Sequence, residues 1–278
     1  DPRSMFGSTA GLQKKFGKNR VFDISTAENS MTGIAVGAGL AGYRSIVTHL
    51  RFDFFLLAMD QLVNSAAKWH FMFGGQNNVP ITIRLIVGRG WGQGPTHSQS
   101  LQAWLAHIPG LKVVMPSTTE DAKGLLLSSI FDDNPVIFIE HRWLHNQYGE
   151  VPKDDIKIPL GKARKLRNGE KITIVSMSLM TMEAIRAVDE LKKQNILCDL
   201  IDLRTVAPID WSEIFKSVKK TGRLLVLDTG SKTGSISGEI ISRVSSNLFD
   251  SLLAPPKRIA YPDIPTPTSF SLTEKFYP

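Results

Sequence analysis

The chain has 278 residues, 42% hydrophobic and 21% charged, which is ordinary for a folded globular protein large enough for two domains. Its formal charge of +7 arises in part from basic clusters at 14–15, 162–171 and 216–223. These clusters are joined to neither aromatic stacking positions nor a recognition helix, so we expect no nucleic-acid partner. We expect them to lie on solvated surfaces or to contact an acidic partner. No apolar stretch nears the roughly 20 residues that cross a bilayer, so we expect no membrane partner, and the single Cys198 excludes an internal disulfide.

The first residues resemble neither a signal peptide nor a natural start, so we expect a piece of a longer gene product. Cys198 lies in an apolar run, where a buried small residue is the simplest interpretation. A single cysteine fits a reducing compartment. We therefore expect a cytoplasmic protein, or one of the mitochondrial matrix if the source is eukaryotic.

In the first half, short apolar runs alternate with helical patterns, which is typical of βαβ units and a mainly parallel sheet. The pattern predicts strands at 20–23, 44–48, 80–87, 111–115 and 136–140, and helices at 29–41, 53–72, 98–107 and 118–130. The polar, proline-containing stretch 141–169 then predicts an irregular linker with at most a short strand.

Regular alternation resumes after the linker. It predicts strands at 172–176, 198–203, 224–227 and 258–261, and helices at 180–194, 210–220 and 235–248, before an extended proline-rich tail. We therefore predict an α/β protein with two domains, over 1–140 and 170–278. Each domain is expected to be a mainly parallel sheet flanked by helices.

Glu28 lies where a predicted strand ends and a helix begins. One interpretation is structural, because a carboxylate at a helix N-terminus gains typically 0.3–1 kcal/mol from the macrodipole. The helix that follows is, however, rich in glycine and alanine, at Gly33, Gly37 and Gly39 among others. Since each interior glycine costs about 1 kcal/mol relative to alanine, we expect close packing against a second subunit or a flat ligand in compensation.

His97 follows a glycine-rich loop over 88–94 and precedes a predicted helix. Such a histidine is often a cap or a surface residue, but an imidazole on a flexible loop also suits an active site that closes on substrate. The loop fits neither a P-loop nor a dinucleotide fingerprint. Ser98 lies in no G-x-S-x-G motif, so a hydrolase is not indicated. The other histidines lack zinc-ligand spacing.

The segments 27–38 and 94–99 together resemble the pyrimidine-binding domain of thiamine-diphosphate enzymes, and above all the beta subunit of 2-oxo acid dehydrogenases. Ordered matches to that subunit continue along the chain, at 11–17, 20–23, 60–68, 109–114, 120–126, 133–136, 201–205, 220–223 and 262–267. The resemblance implies a pyrimidine-binding fold followed by a transketolase C-terminal-like domain.

The same resemblance implies roles for individual residues. Glu28 would hydrogen-bond the aminopyrimidine ring of thiamine diphosphate and favour its imino tautomer, and Phe54 would pack on the face of that ring. His97 would line the substrate cavity and assist proton or acyl transfer. A structural potassium ion would be held largely by backbone carbonyls at the positions that match the family's ligands, namely Ile81, Ser129, Ile130, Asp132 and Asn134.

The implied function is decarboxylation of a 2-oxo acid, with the acyl group passed to a lipoyl carrier on a lipoyl acyltransferase. One alternative is a split transketolase-like carboligase that uses an aldehyde or sugar acceptor, since 94–97 reads Gly-Pro-Thr-His as in transketolases. Another is a non-catalytic binding subunit on the same fold. The chain contains no Gly-Asp pair, so an alpha subunit is expected to hold the magnesium and diphosphate in a two-alpha two-beta heterotetramer.

Overall fold

The structure, a computed structural model, describes residues 7–88 and 93–277. The α-helices of this part are α1 Leu12–Phe16, α2 Glu28–Leu40, α3 Phe52–Phe55, α4 Ala67–Met72, α5 Gln102–Ala106, α6 Thr119–Ile130, α7 Leu179–Lys193, α8 Trp211–Thr221, α9 Ile236–Leu248 and α10 Phe270–Phe276. The strands are β1 Ser45–His49, β2 Ile81–Val87, β3 Lys112–Val114, β4 Val136–His141, β5 Arg164–Arg167, β6 Ile172–Ser176, β7 Cys198–Asp202, β8 Thr205–Ala207, β9 Leu224–Ser231 and β10 Lys257–Tyr261.

Within the described residues, the strands form two five-stranded sheets, in the orders β1-β2-β4-β3-β8 and β10-β9-β6-β7-β5. Pairing is parallel throughout, except that β8 joins β3 and β5 joins β7 in antiparallel fashion. The inner strands are almost wholly buried and apolar, as parallel sheets covered on both faces require. The predicted α/β class, with two mainly parallel sheets flanked by helices, is confirmed.

The two sheets share one apolar core. A single cluster of buried side chains extends from Ile83 and Leu85 of the first sheet to Val175, Ile201 and Val226 of the second. At roughly 25 cal/mol per Å² of apolar surface removed from water, such continuous burial is the main term that keeps the halves together. None of the helices in residues 7–88 and 93–277 has the length and apolar character to span a membrane.

The chain also crosses directly from one sheet to the other. Arg204 has a φ of 60° and links β7 of the second sheet to β8, which pairs with β3 of the first. The Arg204 side chain lies 2.7 Å from Asp121 at the start of α6, and Ser117 donates a hydrogen bond to the buried Asp202. Polar contacts therefore reinforce the shared core. The division of the chain into a domain at 1–140, a linker at 141–169 and a domain at 170–278 stays a prediction.

Three predicted elements of the first half are wrong in the structure. Residues 20–23 form no strand, and Phe22 is 60% exposed, because no neighbouring strand pairs with them in the described chain. The helix expected over 53–72 is divided into α3, a 3₁₀ turn at Leu56–Ala58, a π-helical turn at Gln61–Ala66 and α4. The helix expected from 98 begins only at Gln102, after a 3₁₀ turn at Pro95–His97.

Some of the basic residues expected on solvated surfaces form internal ion pairs. Lys165 and Lys220 lie 3.0 and 2.7 Å from the carboxylate of Asp199, which is fully buried. Burial raises the pKa of Asp199, but hydrogen bonds from Lys220 and Ser217 outweigh it and bring the pKa to about 2. Cys198 is buried, as predicted.

The junction at Asp202 predicts a pH-dependent stability. Burial raises the pKa of Asp202 to about 6 against the opposing hydrogen bond from Ser117, whereas an unfolded aspartate titrates near 3.9. The native state therefore binds the extra proton, and stability present at pH 4 is lost as the pH rises through 6. Asp202→Asn loses one of two acceptor oxygens, because Ser117 donates to Oδ2 whereas Thr181 and the backbone N–H of Arg204 donate to Oδ1. This cost is the same at both pH values, so we expect the stability of the variant relative to the wild type to be about 1–3 kcal/mol more favourable at pH 7.5 than at pH 4.5. Urea unfolding at both values measures this, and an equal difference from the wild type at both would contradict it.

Candidate active site

The candidate site lies at one edge of the first sheet, where three parallel strands end. In the observed register Val87, the last residue of β2, pairs with His141 at the end of β4. β1 ends beside them at His49, which pairs with Leu85. Because parallel strands point in one direction, the residues that follow them meet at the same edge, which is where open α/β sheets bind ligands.

Phe54 and His97 are in direct contact at this edge. Their ring centroids are 5.1 Å apart, and the rings are nearly perpendicular at 88°. Phe54 belongs to α3 and is 44% exposed, so part of its aromatic face is open to a ligand. The Thr96 hydroxyl lies 3.0 Å from His97 Nδ1, within hydrogen-bond distance. Two of the predicted site residues are thus brought together.

Glu28 begins α2, in the first turn, where its carboxylate faces the positive end of the helix dipole. It lies close enough to His49 to act on the titration of that ring. Burial lowers the pKa of His49 to about 4, and the charge of Glu28 acts in the opposite direction. His49 is therefore neutral at pH 7, and its buried Nε2 has no hydrogen-bond partner among the described residues.

A second buried imidazole underlies the edge at His141. Burial lowers the pKa of His141 to about 3, and the backbone N–H of Trp143 donates to its Nδ1 over 3.3 Å, so the neutral ring carries its proton on Nε2. Gly88 packs against this ring with a φ of 85°. A Cβ at Gly88 would lie 2.4 Å from His141 Nε2, so only glycine fits there.

The small residues of α2 are used in two ways. A Cβ on Gly33 would meet Gln61 at 3.5 Å, and one on Gly39 would meet Pro80 at 3.3 Å, so these two glycines allow close packing inside the chain. Gly37 faces open space, and Ile34 on the same helix is 61% exposed. This face of α2, which differs from the face of Glu28, is covered by nothing in the described part of the chain.

Of the positions expected to hold potassium, Ser129, Ile130, Asp132 and Asn134 lie at the end of α6 and after it, whereas Ile81 begins β2. Nη1 of Arg44 donates to the backbone carbonyls of Ile130 and Asp132, over 3.3 and 2.7 Å. The hydroxyl of Ser129 donates to Leu125 within the helix. Two of the five expected carbonyls therefore converge on one cationic group, as the negative end of a helix dipole favours.

The glycine-rich loop over 88–94 is described only in part. Residues 89–92 of the glycine-rich loop lie outside the described residues. In the remaining chain, no group of three or more His, Cys, Asp or Glu side chains is arranged to bind a metal ion.

Comparison with known families decides the assignment. The family described as "Transketolase, pyrimidine binding domain" matches residues 2–147, and "Transketolase, C-terminal domain" matches residues 161–278. The pyruvate dehydrogenase E1 component subunit beta of Rickettsia felis is 42% identical over 97% of this chain and 83% of its own length. This chain belongs to the beta-subunit family of 2-oxo acid dehydrogenases.

Other members of the family support the assignment. The corresponding pyruvate dehydrogenase subunit of Rhizobium meliloti is 45% identical over 97% of this chain, which spans only 59% of that protein. Further relatives are named as beta subunits of an acetoin:2,6-dichlorophenolindophenol oxidoreductase and of 2-oxoisovalerate dehydrogenase. A solved structure titled "Split gene transketolase, inactive beta4 tetramer" covers 99% of this chain and 85% of its own with a TM-score of 0.79 at 20% identity, which confirms the fold.

Sequence reasoning missed several polar residues of this beta-subunit site. His49 ends β1, Arg51 and Asp53 come just after it, and His141 ends β4; all four are buried. The available signal was position, because each lies at or just after the carboxyl end of a strand predicted to be parallel. Zinc-ligand spacing in the sequence does not detect buried neutral imidazoles such as these.

The close contact at Gly88 predicts a large loss of stability on substitution. Gly88→Ala requires an unfavourable φ and displaces His141, so we expect a loss of roughly 2–4 kcal/mol in the free energy of unfolding. Gly37→Ala is the matched control, because its Cβ meets nothing within 4 Å and alanine favours the helix. Urea unfolding of both variants measures the difference, and a loss below about 1 kcal/mol at Gly88 would contradict the packing described.

Proposed function

We propose that the chain is the beta subunit of a thiamine-diphosphate-dependent 2-oxo acid dehydrogenase and supplies the pyrimidine side of the active site. The observation that carries the proposal is the contact between Phe54 and His97 beside the helix that begins at Glu28. A half-exposed aromatic face, a carboxylate and an imidazole suit a flat heterocycle with ring nitrogens. The names of the relatives favour this function over a carboligase or a non-catalytic subunit.

The residues present fit the pyrimidine end of the cofactor. His49 Nε2 is a buried polar atom with no hydrogen-bond partner in residues 7–88 and 93–277, and the charge of Glu28 reaches its ring, as expected for a site that is completed by a ligand. When bound, thiamine diphosphate supplies the carbanion chemistry that the side chains cannot. Glu28 would hold a proton at a pyrimidine nitrogen, Phe54 would orient the ring, and His97 would move a proton at the substrate.

We propose that an alpha subunit completes the site. The uncovered face of α2 at Ile34 and Gly37 is apolar and lets another backbone approach closely, and Leu57, nearby in the chain after α3, is 69% exposed. Magnesium and the diphosphate would be held by that alpha subunit in a two-alpha two-beta heterotetramer. A lipoyl acyltransferase as acyl acceptor and a cytoplasmic location stay predictions.

A potassium ion at the end of α6 is a further part of the proposal. Carbonyls of Ile81, Ser129, Ile130, Asp132 and Asn134 would supply the ligands, and the convergence of two of them on Arg44 supports a preference for a cation there. A bound potassium ion would share those carbonyls with the guanidinium. Thermal unfolding in KCl and in NaCl of equal ionic strength tests this, and equal midpoints would contradict it.

Glu28→Gln tests the proposed proton transfer at the pyrimidine. The amide has the same shape but cannot take the proton, so we expect 2-oxo acid decarboxylation to fall by at least roughly 10²-fold with unchanged folding. Dye reduction by the chain with its alpha subunit measures turnover, and circular dichroism checks the fold. Glu183→Gln is the control, since Glu183 is paired with Arg186 on the surface of α7. Near-normal turnover of the Glu28 variant would rule the assignment out.

His97→Ala tests a different step. Because Glu28 and Phe54 remain, we expect the cofactor to bind within about threefold of the normal affinity while turnover drops by roughly 10²–10⁴-fold, as when an acid–base group is lost. His107→Ala, at an exposed histidine after α5, is the matched control. Weaker cofactor binding with intact turnover would instead make His97 a structural residue.

A further inference from the structure

The short segment 51–54, between β1 and the 3₁₀ turn that follows α3, contacts the chain on both sides of His97. Arg51 and Asp53 of this segment are buried, although both are charged. Phe54 is the residue whose ring meets His97. Burial of a charge is costly unless it is paired and hydrogen-bonded, so the bonds that these two side chains make are informative.

Asp53 holds the chain just after His97. Its Oδ1 accepts two hydrogen bonds from Gln99, from the side-chain Nε2 over 2.8 Å and from the backbone N–H over 3.3 Å. Its Oδ2 is buried and has no hydrogen-bond partner in the residues described. Among the described residues, the Asp53 carboxylate therefore accepts hydrogen bonds only from Gln99, which lies two positions after His97.

Arg51 holds the chain before His97. Its Nη1 donates to the backbone carbonyl of Gly88 over 2.6 Å, and its Nη2 donates to the side chain of Gln93. Burial lowers the pKa of Arg51, and the nearby Asp53 carboxylate acts in the opposite direction, so the two charges stabilise each other. Arg51 thus holds Gly88 and Gln93 before His97, and Asp53 holds Gln99 after it.

The consequence for His97 follows from the covalent chain. Asp53 and Phe54 are neighbours, so the Asp53–Gln99 bonds and the Phe54–His97 contact share one stretch of backbone. Loss of the bonds would release Gln99, and the imidazole would move relative to Phe54. A displacement of about 1 Å at a reacting group can cost about 10²-fold in rate, so such release would be visible in turnover.

We propose that Asp53 is a positioning residue that fixes the His97 imidazole through Gln99. This rests on the proposed function for its kinetic consequence, but the geometry at His97 is measurable without it. The competing interpretation is that Asp53 only stabilises the fold around β1. The two interpretations differ in whether Asp53 acts through His97.

A double-mutant cycle separates them. We expect Asp53→Ala to lower kcat by roughly 10–10²-fold with little change in KM, and Asp53→Asn, which can still accept from Gln99, to recover most of it. In the His97→Ala background the Asp53→Ala substitution should change kcat by less than about threefold, because the group it positions is gone. Multiplicative losses in the double variant would overturn the proposal.

Matched variants keep the test decisive. Gln99→Leu removes the side-chain donor and leaves Asp53 in place, so it should lower kcat in the same direction and serves if Asp53→Ala does not fold. Asp189→Ala removes an exposed carboxylate of α7 that pairs with Arg167 of β5, and it should leave kcat unchanged. Normal kcat in a folded Gln99→Leu and a folded Asp53→Ala would overturn the proposal.

An activity-independent measurement distinguishes this proposal from the proposed function. Imidazole NMR signals of the full chain, assigned with His97→Ala, should shift for His97 in Asp53→Ala and return in Asp53→Asn. If the wild-type chain with its alpha subunit had no decarboxylase activity, the proposed function would fail while this shift would still support the positioning role. An unchanged His97 signal in Asp53→Ala would contradict it.

Discussion

Parallel hydrogen bonding among β1, β2 and β4 fixes where the candidate functional side chains lie. The register places the ends of these strands side by side, so residues distant in sequence, from His49 to His141, meet at one edge. Some side chains at this edge are buried and others are partly exposed. The neutral imidazoles of His49 and His141 are buried, whereas Glu28, Phe54 and His97 are only partly covered.

The electrostatics of this edge are consistent with half of a composite site. Burial removes the charge of His49 and His141 at pH 7, so these two imidazoles add no positive charge that would neutralise Glu28. The uncovered face of α2, which carries an exposed Ile34, is not the face of Glu28, since Glu28 is in helical register with the buried Thr32 and Ala35. An apolar, closely approachable surface on the helix that begins at this carboxylate suits a second subunit packed on α2 beside the ligand site.

Sequence periodicity predicted the helix–strand alternation well where an element is buried in a sheet or capped locally. For example, α6 begins after Thr118, whose hydroxyl accepts from the N–H of Asp121, and it was predicted to within one residue. The strand at 20–23 and the continuous helix at 53–72 failed because pairing and packing, which are not local, decide those segments. The positions of Glu28 and His97 just before or at predicted helices marked them as candidates, and motif resemblance supplied their roles and added Phe54. Asp53 and Arg51 could not be found in that way, since their role depends on contacts with residues about 40 positions away.

Calorimetric titration with thiamine diphosphate and magnesium tests the central claim, that this chain provides only the pyrimidine side of a shared site. The chain alone should give no binding at micromolar cofactor, and the chain combined with its alpha subunit should give saturable binding. Micromolar or tighter binding by the isolated chain would show that the site is complete within it and would contradict the account.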